Sequence, residues 1–216
     1  MLQPAELLYR SVRCKAVSYN SSNEPYDVPG YNDVEQPFSS QQGSDLRQLR
    51  VAVDGGGSCQ WQLKSLRVSF RIAADNPLAK GKEVINTSYI FDFGKYGLSD
   101  GYGTGKAIAF SGERLDLNTE FFPIIFNHLN NTSSLKFFGG DTASEKWSRR
   151  FRLNNIQHIV IEPVVHLRQV VIINPPEHPP GNLIATYPDG SREEIPDISP
   201  DYDRLLSLKS QASARN

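Results

Sequence analysis

Cys59 lies in the run Asp54-Gly-Gly-Gly-Ser-Cys-Gln-Trp61, beside one of only two tryptophans in the chain. A cysteine in a glycine-rich turn invites thiol catalysis. That chemistry needs a histidine within hydrogen-bond reach and a third group to orient it, and the local sequence supplies neither. Ser58 does not complete a nucleophile elbow, because the pattern Gly-x-Ser-x-Gly fails at Gln60. A second glycine-rich stretch, Gly101-Tyr-Gly-Thr-Gly-Lys-Ala107, suggests a phosphate cradle. The phosphate-binding loop requires glycine five residues before the Gly-Lys glycine, then serine or threonine after the lysine. Here those places hold Asp100 and Ala107. The four histidines, His128, His158, His166 and His178, lack metal-binding spacing, although His158, Glu162 and His166 share even parity. Pro163 is expected to break the strand that would align them. Asp92-Phe-Gly lacks the other kinase segments. Asn-x-Ser/Thr sequons begin at Asn20, Asn86, Asn130 and Asn131, and carry meaning only in a eukaryotic secretory chain. No catalytic, cofactor or metal set emerges from these residues.

Bulk properties narrow the partner classes. The 216 residues carry 23 basic and 24 acidic side chains, a formal net charge of −1. Without a cationic excess, nucleic acid is disfavoured as a main partner. The length fits one domain able to bury its own core. No apolar run reaches the roughly 18 residues needed to span a bilayer. The start, Met1-Leu-Gln-Pro, has neither the apolar core nor the cleavage site of a signal peptide. Two expectations follow: a cytoplasmic protein, or an exported one whose signal has been removed. Cys14 and Cys59 are the only cysteines. They form one disulfide in an oxidising compartment or two buried thiols in a reducing one.

The elements that must position these residues are mostly strands. Residues 7–19 alternate in part, with Leu8, Val12, Cys14 and Ala16 on one parity. Residues 20–45 are rich in Asn, Ser, Pro and Gly and read as a long contact loop. Leu49, Val51 and Val53 alternate, which predicts a strand entering the glycine turn. Beyond it, Cys59, Trp61 and Leu63 fall on odd positions, whereas Leu66, Val68, Phe70 and Ile72 fall on even ones. A strand keeps its apolar side chains on one face through such a switch only by a bulge. The pattern therefore predicts a hairpin with a bulge near Lys64, a structural role for Gly55, Gly56 and Gly57, and a buried Trp61 packed near Cys59. Residues 83–93 and 106–110 read as strands, 113–129 are ambiguous around Pro123, and 142–155 suggest a short helix with a basic face. Residues 156–174 are strand-like and divided by Pro163, and Pro188-Asp-Gly marks a hairpin within 183–195. Ser199 and Pro200 predict the start of a C-terminal helix. The expected fold is mainly β: an antiparallel β-sandwich-like or α+β single domain over 1–198, with a helix and frayed tail over 199–216.

Aromatic residues in polar loops, and arginines beside aromatics, are what remains for function. Trp147, Arg149 and Arg150 fit a protein-interface hot spot, or a helix docking its aromatics into the core. Tyr26 and Tyr31 lie in the long segment 20–45, and Tyr96 and Tyr102 in the loop 94–106; residues 175–182 form a third candidate contact loop. The sequence favours a binding protein over an enzyme. The alternatives are a small hydrolase whose site is not local in sequence, or a structural or carbohydrate-binding β-domain of the cell envelope.

The segment from Val53 to Phe70, through Asp54, Gly55, Gly56, Gly57, Cys59, Trp61 and Leu63, resembles small bacterial envelope proteins. These are typically lipoproteins encoded near type VI secretion or other polymorphic toxin systems. Some are immunity proteins that neutralise a secreted lipase or other effector. The resemblance implies a non-enzymatic inhibitor without a cofactor, partnered by a secreted toxin. It also implies a periplasmic or outer-membrane-anchored mature form, with a lipid anchor in a longer precursor.

Overall fold

A computed structural model describes residues 1–40, 42–93, 107–139, 148–178 and 180–213. In chain order the strands begin with β1 (Ala5–Tyr19), β2 (Pro25–Gln36), β3 (Ser39–Ser40), β4 (Arg47–Gln48), β5 (Asp54–Gly56) and β6 (Trp61–Phe70). A 3₁₀ turn at Pro77–Ala79 precedes β7 (Glu83–Val84), β8 (Thr87–Phe93), β9 (Ile108–Ser111), β10 (Arg114–Leu117), β11 (Glu120–Asn127) and β12 (Ser133–Gly139). Then come β13 (Ser148–Asn154), β14 (His158–Ile161), β15 (Val164–Val165), β16 (Val171–Asn174), β17 (Leu183–Thr186), β18 (Arg192–Ile195) and the helix α1 (Tyr202–Ser213). The fold is mainly β with one C-terminal helix.

Two seven-stranded sheets make the body. The first runs β2-β1-β6-β8-β13-β9, with β5 also paired to β6; the second runs β18-β17-β16-β11-β12-β7, with β15 also paired to β11. Both are mixed: β8–β13, β13–β9 and β11–β16 are parallel pairs. The two sheets enclose one core, in which Leu66, Val68, Phe70, Tyr89 and Phe91 meet Phe121 and Phe137. Phe70 packs edge-on to Phe121 at 5.1 Å between ring centres. The parallel pair β10–β14 extends this core through Leu115 and Leu117. Behind the second sheet lies another core, where Phe122, Phe138, Val171 and Ile173 meet Leu205 of α1. β11 is thus buried on both faces, which accounts for its nearly continuous apolar run Phe121–Phe126.

The bulge predicted near Lys64 is present. Leu8 pairs with Ser65 and Tyr9 with Leu63, so Lys64 is the extra residue. Leu63, Leu66, Val68 and Phe70 consequently all enter the same core. Pro123 lies inside β11, not at a break. Its register position falls between the end of β15 pairing at Phe121 and the start of β16 pairing at Ile124. A residue without an N–H is tolerated where the ladder is interrupted. Pro163 separates β14 from β15 as expected, and Gly190, with φ +81°, turns the β17–β18 hairpin.

Several expectations are corrected. Residues 25–36 are not loop: they form β2, paired with β1 along almost its whole length. That pairing uses backbone groups and needs no apolar period on β2. On β1 the inward residues are Ala5, Leu7 and Ser11, the odd face and not the parity of Leu8; Val12, Cys14 and Ala16 lie at or beyond the bulge that follows Ser11, where β1 no longer pairs with β6. Residues 148–154 form β13, not a basic helix; Phe151 and Leu153 alternate into the core while β8 and β9 pair on either side. The helix is capped by Asp201, whose Oδ1 accepts the Arg204 N–H at 3.1 Å, two residues beyond the expected Ser199.

Candidate functional site: a braced hairpin arm

β1 pairs with β6 only from Glu6 to Arg10. Beyond that point β1 continues with β2 alone, Lys15 to Tyr19 opposite Pro25 to Pro29. This two-stranded ribbon reaches roughly 17 Å at about 3.4 Å per residue. Opposed residues share a face. Val17 and Tyr19 lie on one side of the ribbon, and Tyr26 and Val28 on the other. Val17 is 60% exposed, Tyr19 61% and Tyr26 49%. Apolar and aromatic side chains are therefore presented on both faces.

An isolated two-stranded ribbon is marginally stable in water, so the tip and the root need specific bracing. At the tip, Asn20 Oδ1 accepts the N–H groups of Ser22 and Glu24 at 2.9 Å, and Asn23 adopts φ +61°. At the root, the β1–β2 register jumps from Ser11–Gly30 to Lys15–Pro29, leaving Val12–Cys14 as a three-residue bulge. Ser11 Oγ accepts the N–H groups of Arg13 and Cys14 at 3.2 and 3.0 Å and donates to the Cys59 carbonyl. Cys14 is disulfide-bonded to Cys59, with Cα atoms 5.1 Å apart. The 45-residue separation corresponds to about 4 kcal/mol in the chain-entropy treatment of cross-links. Gly30 fits tightly here: a Cβ would collide with the Cys14 carbonyl and meet the Trp61 ring at 3.3 Å.

The glycine run completes the root as backbone geometry. Gly56 and Gly57 adopt φ +60° and +70°, a region that side chains resist. Gly55 instead allows close approach, since a Cβ there would meet Trp61 and the Tyr9 ring at 3.1 and 3.3 Å. The Asp54 carboxylate accepts the Gly56 N–H at 2.9 Å. Cys59 is therefore half of a cystine and not a free thiol. Trp61 is half-buried, because it sits at the arm root beside Gly30 instead of inside either core. Tyr31, 49% exposed, lies just inside the root with the Lys64 ammonium 4.8 Å from its ring centre, a cation–π distance.

The chain from the arm tip through β2 and the segment after it is acidic, although within the ribbon itself only Glu24 and Asp27 are acidic, with Lys15 on the facing strand. Residues 20–45 contain Glu24, Asp27, Asp33, Glu35 and Asp45, and no lysine or arginine. Asp27 pairs with Lys15 across the ribbon at 3.0 Å, an exposed contact of little energetic weight. β2 is an edge strand. Its prolines and charges are the usual protection against indiscriminate strand pairing.

The other expected contact residues do not gather at the arm. Tyr96, Tyr102 and Trp147 lie outside the described residues. Arg149 stands on β13 with its guanidinium 6.0 Å from the Phe151 ring centre, turned toward the protein interior. Arg150, expected to face a partner, is 1% exposed and pairs with Asp92 of β8 at 2.5 Å. Its alternation with Phe151 sends it to the opposite face of the sheet, where it is buried. Such a pair is strongly destabilised when one member is removed.

The most concentrated ionisable group lies elsewhere. Glu120 of β11 bonds to His166 at 2.6 Å and to Lys209 of α1 at 2.7 Å. The Lys209 ammonium, with help from His166, holds the Glu120 carboxyl below the usual glutamate range. Tyr202 donates to the Glu120 carbonyl at 2.9 Å. Arg204 bonds to Glu193 at 3.0 Å and stacks over Tyr187, whose hydroxyl burial pushes up to about 12. These contacts dock the helix against the second sheet. His158 and Glu162 are exposed and take no part. Among the described residues no group of three or more His, Cys, Asp or Glu is placed to hold a metal ion, and no helix is long and apolar enough to cross a membrane.

Compared with protein families, curated proteins and solved structures, the chain finds no match in any of the three. The arm, through Tyr26 and Tyr31, was within reach of sequence reasoning as a contact segment. Its strand character, and the contributions of Val17, Tyr19, Ser11 and Gly30, were not, because they depend on pairing between β1 and β2.

Proposed function

We propose that this chain is a non-enzymatic binding protein that grips a protein partner with the β1–β2 arm. The observation that carries this reading is the arm itself: a ribbon with exposed tyrosines on both faces, braced at its root by a disulfide, a capped bulge and a close-packed glycine. A two-faced ribbon suits a cleft, where both faces are covered, better than a flat surface, which covers one. Tyrosines supply large contact area with little side-chain entropy lost, and the exposed Asp33 and Glu35 on β2 below the arm root favour a cationic cleft rim by charge complementarity. The resemblance of the Asp54–Leu63 segment, which forms the arm root, adds the more particular reading of an immunity protein that plugs the active-site cleft of a secreted toxin. The disulfide supports an oxidising compartment such as the periplasm.

The test is a pull-down from native cells with mass spectrometry, using the wild-type chain beside Tyr19→Ala and Tyr26→Ala. A stoichiometric enzyme that binds the wild type and loses tenfold or more affinity with each variant, as about 1.4 kcal/mol would give, is the expected result. A partner retained equally by both variants removes the arm from the interface. Activity of that enzyme unaffected by the bound chain removes the inhibitor reading.

A further inference from the structure

We infer that the Cys14–Cys59 disulfide is a redox latch that holds the arm in its binding conformation, and that a dithiol reductant releases it. The inference rests on the reading of the arm as the binding element and concerns how that element is controlled. Three observations place the bond at a hinge. It joins the Val12–Cys14 bulge, where β1 has no register partner on β2, to the Gly57–Gln60 turn. It belongs to neither hydrophobic core. Both cysteines are partly exposed, and the residues flanking Cys14 are Arg13 and Lys15, both exposed. A thiolate reductant can therefore approach the bond.

The exchange is balanced. One thiolate of the dithiol attacks a sulfur of the cystine and forms a mixed disulfide, expelling the other cysteine as a thiolate. The second thiol of the reductant then displaces the remaining cysteine. The reductant becomes a cyclic disulfide, and two electrons and two protons pass to Cys14 and Cys59. After reduction, the arm root keeps the Ser11 contact with Cys59 and the packing of Gly30 on Trp61. Neither closes the bulge covalently, and the ribbon beyond it has no third strand. Local opening of the arm becomes easier, while the sandwich, whose strands are paired and buried independently of the bond, stays closed.

Native-state hydrogen exchange on the full chain tests this without a partner. It compares the oxidised protein with protein reduced by dithiothreitol, and with the Cys14→Ser/Cys59→Ser variant. The expected result is exchange about tenfold faster or more at amides of residues 15–29 in both reduced and variant forms, with protection retained in β6 and β11. Unchanged exchange in the arm overturns the latch. Loss of protection throughout the sandwich also overturns it, because the bond would then be a staple of the whole domain. The outcomes separate the two ideas: a latch that loosens on an arm that binds nothing sinks the binding reading alone, and a partner held equally by oxidised and reduced chains sinks the control alone.

Discussion

The arm and the helix-capped second sheet are held by opposite means. β11 is buried on both faces, and its stability is spread over Phe121, Phe122, Ile124 and Ile125, packed on one side against the first sheet and on the other against α1. The ribbon from Lys15 to Pro29 buries almost nothing. Its position depends on discrete ties: one disulfide, one serine hydroxyl, one glycine and one asparagine-built tip. Distributed burial gives a rigid body that no single polar contact controls. Discrete ties give an element that can be exposed, aimed and released. The difference places stability in one region and, on the proposed reading, recognition in the other.

The comparison is most sharply tested in the core. Phe122 is fully buried between His166, 5.0 Å away between ring centres, and Tyr202 at 5.8 Å. Phe122→Ala is expected to cost about 3–5 kcal/mol in chemical denaturation and to leave the arm's tyrosines as exposed as before. Gly30→Ala strikes the arm root, and the colliding Cys14 carbonyl must move. A loss of about 1–3 kcal/mol is expected, with changes in the amide spectrum confined to residues around 11–15, 28–31 and 59–61. A loss as large as that of Phe122→Ala would mean that the root is part of the core.

A smaller effect is expected at the helix dock. Because Lys209 lowers the folded-state pKa of Glu120, the carboxylate stabilises the fold above its unfolded value, near 4.3. That contribution disappears as pH falls through the folded value. Glu120→Gln should therefore lower the melting temperature at pH 7, by an amount equivalent to under about 1 kcal/mol, and should flatten the melting curve against pH below about 4.5. An undiminished acid dependence in the variant would assign it to other carboxylates. The smallest effect belongs to the arm: Tyr19→Ala is expected to change stability by less than about 0.5 kcal/mol. A larger loss would show that Tyr19 is braced against the body and is not free to meet a partner.

Much of the fold was legible because it follows from local pattern. The parity switch between Leu63 and Leu66 could be satisfied in a strand only by a bulge, and Lys64 is that bulge. Gly56 and Gly57 were legible as positions needing positive φ, and they adopt it, although Gly56 ends β5 and the turn starts at Gly57; the expected strand at 49–53 is instead irregular chain, and the hairpin's first strand is β5. The Pro188-Asp-Gly hairpin and the terminal helix were legible from turn and cap chemistry, although Asp201 proved the better-placed cap. The basic residues of 142–155 suggest a helix face, but the described part, Ser148–Asn154, is a strand, because Phe151 and Leu153 alternate into the core and the arginines between them do not set the period.

By itself, then, the sequence determined a β-rich chain, its principal hairpin and bulge, the glycine turn and a helix at the end. These are properties of backbone sterics and side-chain period, which act over a few residues. Only the tertiary structure decided that residues 25–36 become an edge strand, because that depends on an unoccupied partner in β1. It alone paired Cys14 with Cys59. It also sent Arg150 inward to Asp92 and left Val17, Tyr19 and Tyr26 outside. Burial and exposure are set by which faces another element happens to cover, and that information lies in contacts between residues far apart along the chain.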